Sequence, residues 1–227
     1  MKQCLAEFIG TFFLCFAGIS AILSTQEPLN SGAGLVGIAL AHGLAISIAV
    51  SVFGGVSGAH FNPAVTCGML ATGRIKPPMA ISYIISQCLS GALAAFLCSI
   101  IFAEGAVESA KLGIPLPPEG GGISMGVVIL MEFILTFLLV TAIFGTAVDE
   151  RGKIVNIGGF AIGLTVTMDI LAGGAVTGAS MNPARSFGPA LVHGHFDMHW
   201  CYWVGPILGG IAAALIYQHV ILDSAED

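Results

Sequence analysis

The chain has 227 residues, of which 9% are charged and 56% are hydrophobic; it contains 31 glycines, and its formal net charge is −6. Soluble domains carry about 25% charged residues, so this composition excludes a soluble domain and indicates a membrane protein. The seven lysines and arginines are too few and too scattered for a nucleic-acid-binding face.

Six apolar stretches are long enough to cross a bilayer, which takes about 20 residues in a helix. The predicted spans are residues 4–24, 34–54, 78–102, 124–147, 156–174 and 198–222. A short loop at 25–33 follows the first span, a long loop at 103–123 follows the third, and a charged turn at 149–153 follows the fourth. This order of elements predicts an all-α membrane protein.

The basic residues fall unevenly on the two sides of the predicted bundle. Six spans place both termini on one side, which carries Lys2, Arg74, Lys76, Arg151 and Lys153. The opposite side carries Lys111 and Arg185. Because lysine and arginine are enriched on the cytoplasmic side of membranes, we expect both termini in the cytoplasm.

Two further apolar stretches, residues 57–73 and 177–192, are too short to span a bilayer. Each contains an asparagine followed by proline, at Asn62 and Asn182. Asparagine is a good helix N-cap, and proline suits the first helical position. Each stretch therefore predicts a short helix that begins at its asparagine. At membrane depth such a helix must be buried in protein or line a cavity.

The second half of the chain repeats the first. Residues 57–65, SGAHFNPAV, resemble residues 177–185, TGASMNPAR, at an offset of 120 residues, and Glu7 pairs with Glu132 at an offset of 125. Each half holds three spans and one half-helix, and because three is odd the second half is inverted. The predicted units are a single domain at 1–227, a first repeat at 1–110, an inverted second repeat at 124–222, and an outer connecting loop at 103–123.

Inverted repeats place a functional site at the membrane midplane. There the two half-helices would meet N-terminus to N-terminus, and each N-terminus carries partial positive charge. The amides of Asn62 and Asn182 would donate hydrogen bonds to a water molecule, whereas a cation would be repelled and find no replacement for its hydration shell. The two asparagines are therefore predicted to form a pore centre. The alternative is that they only cap their helices.

Five segments carry a resemblance to a known family: Ala6-Glu7-Phe8, Ser57–Thr66, Gln87, Asn182–Pro189 and Tyr202–Pro206. They are similar to the motifs of the aquaporin (major intrinsic protein) family, and the likeness extends over nearly the whole chain. The resemblance implies six transmembrane helices plus two re-entrant half-helices in an inverted 3+3 repeat. It also implies one pore in each subunit of a homotetramer.

The resemblance places Arg185 in the outer constriction of the pore; the alternative is an arginine that reaches the membrane surface. The resemblance also implies that His42, Ile170 and Ala179, matched by their distance in sequence from the two asparagines, complete this selectivity filter, although His42 alone could be an ordinary buried histidine. The set is similar to that of plant tonoplast intrinsic proteins. Because Ile170 is apolar and Ala179 is small, ammonia, urea or hydrogen peroxide would pass besides water. Residues 112–118 lack the histidine of some ammonia-permeable members, which argues against ammonia.

The resemblance further implies that the backbone lines the pore at Gly58, Ala59, His60, Gly178 and Ser180. His60 would present its carbonyl rather than its ring. Glu7 and Glu132 would brace these pore-lining segments from behind rather than relay protons. Asp169 should point away from the lumen, because one helical step past Ile170 rotates a side chain by about 100°.

The predicted function is a passive transmembrane water channel, with small neutral solutes such as ammonia as further candidate permeants. The alternatives are a channel mainly for ammonia, urea or other small solutes, a secondary transporter, or a membrane junction protein on the same fold. No nucleophile–base pair or metal-ligand spacing indicates an enzyme, a metal site or a cofactor. The six cysteines are interpreted as buried apolar residues. We expect a multi-pass protein of the plasma or inner membrane, or of the vacuolar membrane in a plant, in contact with water, neutral solutes and lipids.

Overall fold

The computed structural model describes residues 1–153 and 157–222, and every regular element within them is helical. The helices are α1 (Lys2–Ser24), α2 (Gly34–Ser57), α3 (Pro63–Ala71), α4 (Pro77–Ile101), α5 (Glu104–Ser109), α6 (Met125–Ile143), α7 (Glu150–Lys153), α8 (Gly158–Thr177), α9 (Pro183–His193) and α10 (Cys201–Ile216). A π-helical turn extends α6 to Val148, and another extends α10 to Leu222. Of these, α1, α2, α4, α6, α8 and α10 are long and apolar enough to cross a membrane. The predicted six spans are confirmed; Asn156, where the fifth was expected to begin, lies outside the described residues.

The ends of α2 and α8 differ from the prediction. Both helices continue beyond the expected ends at 54 and 174, to Ser57 and Thr177, and stop where Gly58 and Gly178 adopt φ angles of 84° and 83°. Glycine enters this left-handed region without a Cβ penalty and commonly ends helices in this way. The polar Ser57 and Thr177 belong to the helices because their hydroxyl groups are hydrogen-bonded inside the protein.

The loop at 103–123 is more ordered than a plain connection. It begins with α5, whose Ala106 and Val107 are buried, and continues as a 3-10 turn over Lys111–Gly113. The charged turn at 149–153 likewise contains α7. The loop at 103–123 is ordered by packing of α5 and the following turn against α1, and the turn at 149–153 by contacts of α7 with the end of the α6 extension.

The half-helices α3 and α9 enter the bundle from opposite sides and pack across the repeat. Asn62 and Asn182 are their N-caps, and each is followed by a proline in the first helical turn. Helix α3 packs against α10 of the second half, and α9 packs against α4 of the first half. We call the side that holds residues 2 and 222 the terminal side, and the opposite side, with the 103–123 loop, the distal side.

Small residues allow the long helices to cross closely. Gly43 of α2 and Gly163 of α8 are related by the 120-residue offset, and a Cβ on Gly43 would lie 2.5 Å from the Gly163 carbonyl oxygen. Helices in membranes associate through such close approaches. The outward faces are apolar, as on α2 at Val36, Leu40, Leu44, Ile48 and Val52. This is the polarity that a lipid environment requires.

Candidate functional site

A narrow cavity, with about 30 Å³ of space for water-sized molecules, lies between the two halves of the chain. Its wall on the terminal side is apolar and is formed by Ile46, Val50, Leu139, Ile143, Ile162 and Val166. Its centre and distal end are polar and include His42, His60, Asn62, Ser180, Asn182 and Arg185. The apolar wall was not predicted from the sequence, because any apolar residue of a span has the same local signature.

Asn62 and Asn182 join the two half-helices at the centre of this cavity. The Oδ1 atom of Asn62 accepts a hydrogen bond from the Ala64 backbone N–H at 2.8 Å, which caps α3. Its Nδ2 atom donates to the Met181 carbonyl at 2.8 Å, while Asn182 Nδ2 donates to the Phe61 carbonyl at 2.9 Å. A side-chain amide carries two hydrogens, so each asparagine retains one for a molecule in the cavity.

Glu7 of α1 is fully buried behind the segment that leads into α3. Its Oε1 atom accepts hydrogen bonds from Ser57 Oγ at 2.6 Å and from the His60 N–H at 2.9 Å. Its Oε2 atom accepts from the Phe61 N–H at 2.6 Å and from Gln87 Nε2 at 2.8 Å. Four donors therefore compensate for the burial of one carboxylate, and together they fix the backbone beside the cavity.

Glu132 of α6 makes the matching contacts in the second half and is also fully buried. Its carboxylate accepts hydrogen bonds from Thr177 Oγ1 at 2.7 Å, from the Ser180 N–H at 2.9 Å and from the Met181 N–H at 2.7 Å. These donors lie 120 residues after Ser57, His60 and Phe61. The repeat seen in the sequence is thus a repeat of hydrogen bonds.

These contacts orient the peptide groups that border the cavity. The N–H groups of His60 and Phe61 both point toward Glu7. In a planar trans peptide the carbonyl points opposite to the N–H, so the carbonyls of Ala59 and His60 point away from Glu7, toward the cavity that both residues line. Ala59 and Phe61 adopt positive φ angles of 52° and 50°, which permits two successive carbonyls on one side.

The second half presents its carbonyls in the same way. The N–H groups of Ser180 and Met181 point toward Glu132, so the carbonyls of Ala179 and Ser180 point toward the cavity. Ala179 and Met181 have φ angles of 43° and 54°. Two short rows of acceptors therefore border the cavity, one on each side of the paired asparagines.

Two tyrosines hold the starts of these segments. The Tyr83 hydroxyl donates to the Ser57 carbonyl at 2.8 Å, and the Tyr202 hydroxyl donates to the Thr177 carbonyl at 2.6 Å. No role was predicted for either tyrosine from the sequence. Their separation of 119 residues, close to the repeat offset, was the signal that could have identified them.

The four predicted filter residues, His42, Ile170, Ala179 and Arg185, line the same cavity. The Nδ1 atom of His42 lies 2.8 Å from the Ile38 carbonyl oxygen. A carbonyl only accepts, so Nδ1 carries the proton, and in the neutral ring Nε2 is left as an acceptor. A Cβ on Gly18 of α1 would overlap the His42 ring, so this glycine provides the space that the ring occupies.

Arg185 is buried at the start of α9 and reaches the distal loop. Its Nη1 atom donates to the Gly113 carbonyl at 2.7 Å. Within residues 1–153 and 157–222, no carboxylate lies within 4.0 Å of its guanidinium group, and its Nε–H makes no hydrogen bond. No carboxylate therefore neutralises the positive charge of Arg185, and several of its N–H groups remain available as donors at the distal end of the cavity. Nothing in the sequence pointed to Gly113.

The other predicted site residues lie at different distances from the cavity. Gly58 ends α2 and is not among the lining residues, whereas Gly178 borders the distal mouth. The His60 ring lies against Tyr83, with its Nδ1 atom 3.1 Å from Thr66 Oγ1. Asp169 is fully buried and does not line the cavity, and neither carboxyl oxygen has a hydrogen-bond partner among the described residues.

A polar cluster holds the ends of α6 and α10 together on the terminal side. Asp149 accepts hydrogen bonds from Arg151 Nε at 2.9 Å and Nη2 at 2.6 Å, and from the Tyr217 hydroxyl at 3.1 Å. The Arg151 guanidinium, as the largest contribution, holds the pKa of the Asp149 carboxyl below its usual value. The carboxylate therefore stays charged as the link between the two helix ends.

Comparison with known proteins agrees with this architecture. The family model described as major intrinsic protein matches residues 1–217. Aquaporin TIP4-4 of Zea mays is 42% identical over 226 residues, which cover 98% of this chain and 87% of the relative. Probable aquaporin TIP3-2 of Arabidopsis thaliana is 44% identical over 241 residues, which cover 100% of this chain and 86% of the relative.

One solved structure shares the fold. The X-ray structure of the aquaglyceroporin from Plasmodium falciparum superimposes with a TM-score of 0.87 at 24% sequence identity, and the match covers 99% of this chain and 98% of that chain. At this identity the likeness concerns the fold alone. It confirms the predicted six-helix arrangement with two half-helices.

Proposed function

Because this chain belongs to the major intrinsic protein family, we propose that it is a passive transmembrane channel for water. It is a multi-pass integral membrane protein, and the family relationship confirms the prediction of a channel rather than an enzyme. The observation that carries the proposal is the pair of half-helices whose N-cap amides, on Asn62 and Asn182, meet inside a lined cavity.

The pore centre would pass water and exclude cations. A water molecule would accept a hydrogen bond from the free amide hydrogen of Asn62 or Asn182 and donate to the carbonyls of Ala59 and Ala179. The two helix N-termini would make this centre positive. A cation would find both the positive potential and too few acceptors to replace its hydration shell. Glu7 and Glu132 serve as structural supports in this mechanism.

His42, Ile170, Ala179 and Arg185 would form the selectivity filter. Arg185 supplies donors and positive charge, and the Nε2 atom of His42 supplies an acceptor. The remaining wall is apolar at Ile170 and carries only a methyl group at Ala179. This supports passage of small neutral solutes such as ammonia or urea. A channel mainly for these solutes is the second candidate, favoured by the same two residues.

A coupled transporter is the less favoured class. Coupling would require acidic groups in the path, but the ionisable side chains that the described residues place on the cavity wall are His42, His60 and Arg185. The carboxylate oxygens of Glu7 and Glu132 are occupied by backbone and side-chain donors. A passive path needs no such groups.

We further propose one channel domain built of a first repeat at 1–110 and an inverted repeat at 124–222, with 103–123 as the connecting loop. Both termini would lie in the cytoplasm, supported by the basic residues of the terminal side. Subunits would form a homotetramer through part of the apolar outer surface. The membrane would be the plasma or inner membrane, or the vacuolar membrane in a plant.

Stopped-flow light scattering on proteoliposomes tests the channel. We expect osmotic shrinkage faster than that of empty liposomes, with a lower activation energy. Ala179→Phe would place a ring in the cavity and abolish the added flux, whereas Leu44→Phe, on the outward face of α2, would not. No flux above empty liposomes would overturn the water channel and favour a junction role. If Ala179→Phe conducts water as well as Leu44→Phe does, the water path does not pass Ala179.

A further inference from the structure

His193, the last residue of α9, is a largely buried titratable group that the channel mechanism does not use. Its side chain is 15% exposed, and neither ring nitrogen makes a hydrogen bond within residues 1–153 and 157–222. Buried polar groups of this kind normally have partners. The ring therefore lies in a site that a neutral imidazole leaves incompletely satisfied.

The nearest opposite charge belongs to Glu108 of α5. The Glu108 Oε2 atom lies 3.5 Å from His193 Nε2, and the Glu108 side chain is 66% exposed. At this separation a neutral ring gains little, whereas an imidazolium would donate a charge-assisted hydrogen bond to the carboxylate. Protonation would thus tie α5 to the end of α9.

The segment that follows α5 reaches the filter. The turn Lys111–Gly113 comes directly after it, with Leu112 fully buried at a φ angle of 52°. The Gly113 carbonyl then accepts the hydrogen bond from Arg185 Nη1 at 2.7 Å. A change in how firmly α5 is held would therefore be transmitted to the acceptor that orients Arg185.

We propose that Glu108 and His193 are positioning residues for Arg185, and that protonation of His193 from the distal side strengthens this link. The proposal rests on the proposed function, in which Arg185 restricts solutes. With the link formed, Arg185 is held against the Gly113 carbonyl, and the channel discriminates more strongly between water and larger neutral solutes. With the link broken, the loop and Arg185 move more freely and discrimination falls.

Other ionisable groups near His193 already have partners. His195, whose ring centroid lies 6.4 Å away, is 3.4 Å from Asp197. Lys111 pairs with Glu119 at 2.7 Å. Helix α4, which packs against α9, has no Asp, Glu, Lys, Arg or His between residues 77 and 101.

On the α10 side, His199 contacts Phe187 of α9 and accepts a hydrogen bond from Trp203 Nε1 at 3.0 Å. This hydrogen bond occupies the Nε2 atom of His199. Among the described residues, Glu108 is therefore the carboxylate that lies beside His193 and has no other ion-pair partner.

The test compares urea and water permeability of proteoliposomes with the same pH inside and outside, at about pH 8 and about pH 5. We expect the urea-to-water ratio of the native chain to fall about two- to five-fold on acidification, as a partly exposed ion pair supports. Glu108→Gln and His193→Gln should keep the high ratio at both pH values. Glu104→Gln, an exposed position on the same helix, should behave like the native chain.

A second measurement needs no transport and separates this proposal from the proposed function. After correction for intrinsic exchange rates, amide hydrogen exchange over residues 104–113 should be slower at acid pH in the native chain and unchanged in Glu108→Gln. Water flux at about pH 8 reports independently on whether the channel works. The proposal is overturned if Glu108→Gln keeps the native pH dependence of exchange in this segment.

Discussion

Asn62 and Asn182 cap different half-helices, yet each donates an amide hydrogen to the carbonyl of the residue that precedes the other. The bonds to Met181 and Phe61 measure 2.8 and 2.9 Å. This exchange locks two short helices that are 120 residues apart in the chain. It also fixes which amide hydrogen of each asparagine is left for the cavity.

The variant Asn62→Asp should keep the cap of α3 but remove the amide donor of residue 62. Aspartate caps helices as well as asparagine does, so α3 should form, but the donor to the Met181 carbonyl is lost and negative charge enters the positive centre. We expect a loss of about 1–3 kcal/mol in the free energy of unfolding, together with a cation leak. Potassium flux into proteoliposomes measures the leak.

Asn182→Asp should give the same leak, because the two positions are equivalent in the repeat. Asn30→Asp, in an exposed loop, should change neither property. If Asn62→Asp excludes potassium as well as the native chain does, the paired amides are not the cation barrier.

Ile170→His should narrow the range of permeants. The imidazole adds a ring and a polar group to a wall that is now apolar, which should reduce urea flux about ten-fold or more while water flux persists. Stopped-flow shrinkage in urea and in an impermeant osmolyte gives both rates. Ile170→Val keeps the wall apolar and should leave the ratio close to native. Unchanged urea flux in Ile170→His, in a chain that conducts urea, would remove Ile170 from the filter.

The Asp149 cluster predicts a defined pH dependence of stability. Because Arg151 lowers the pKa of Asp149 in the folded state, this group stabilises the fold above the unfolded pKa of about 3.9. The contribution is lost as the pH falls through the folded pKa. Asp149→Asn should therefore unfold at a lower temperature than the native chain near neutral pH, and the gap should close in acid.

Thermal unfolding in detergent, followed by circular dichroism from about pH 7 down to about pH 1.5, measures this gap, which should begin to narrow only below the unfolded pKa. The matched control is Glu150→Gln, since Glu150 pairs with Lys153 but its side chain is 84% exposed. The unfolding temperature of that variant should stay close to that of the native chain at every pH. A gap for Asp149→Asn that is constant with pH would show that the carboxylate charge is not responsible.

Replacement by alanine should have opposite effects on stability at two glycines of α2. At Gly43 a Cβ would meet the backbone of α8 at Gly163, whereas at Gly54 nothing lies within 4 Å. Gly43→Ala should lower the unfolding temperature and the yield of folded protein. Gly54→Ala should be neutral or stabilising by about 0.5–1 kcal/mol, because alanine favours helix. Equal behaviour of the two variants would argue against a close α2–α8 crossing at Gly43.

Local patterns in the sequence predicted much of the fold. Six apolar stretches predicted six spans because a bilayer excludes unsatisfied backbone and charge. The Asn-Pro pairs at Asn62 and Asn182 predicted the starts of two short helices because capping depends on neighbouring residues. The offset of 120 residues predicted two equivalent halves. Each of these features is encoded within a few adjacent positions or by direct comparison of two segments.

The family resemblance selected His42, Ile170, Ala179 and Arg185, which the fold then brings to one cavity. Spacing alone could not have done this, because a buried histidine or isoleucine has the same local signature wherever it packs. The helix α5 and the ends of α2 and α8 were missed for a related reason. They depend on contacts with residues distant in the chain.

The sequence by itself determined the number, order and inversion of the six spans and two half-helices, since bilayer polarity, helix capping and repetition act locally. Only the tertiary structure decided which groups meet. The bonds from Asn182 to Phe61, from His60 and Phe61 to Glu7, and from Arg185 to Gly113 join residues that are 53 to 121 positions apart. Such bonds form only after the helices have packed, because packing alone sets the distance between their partners.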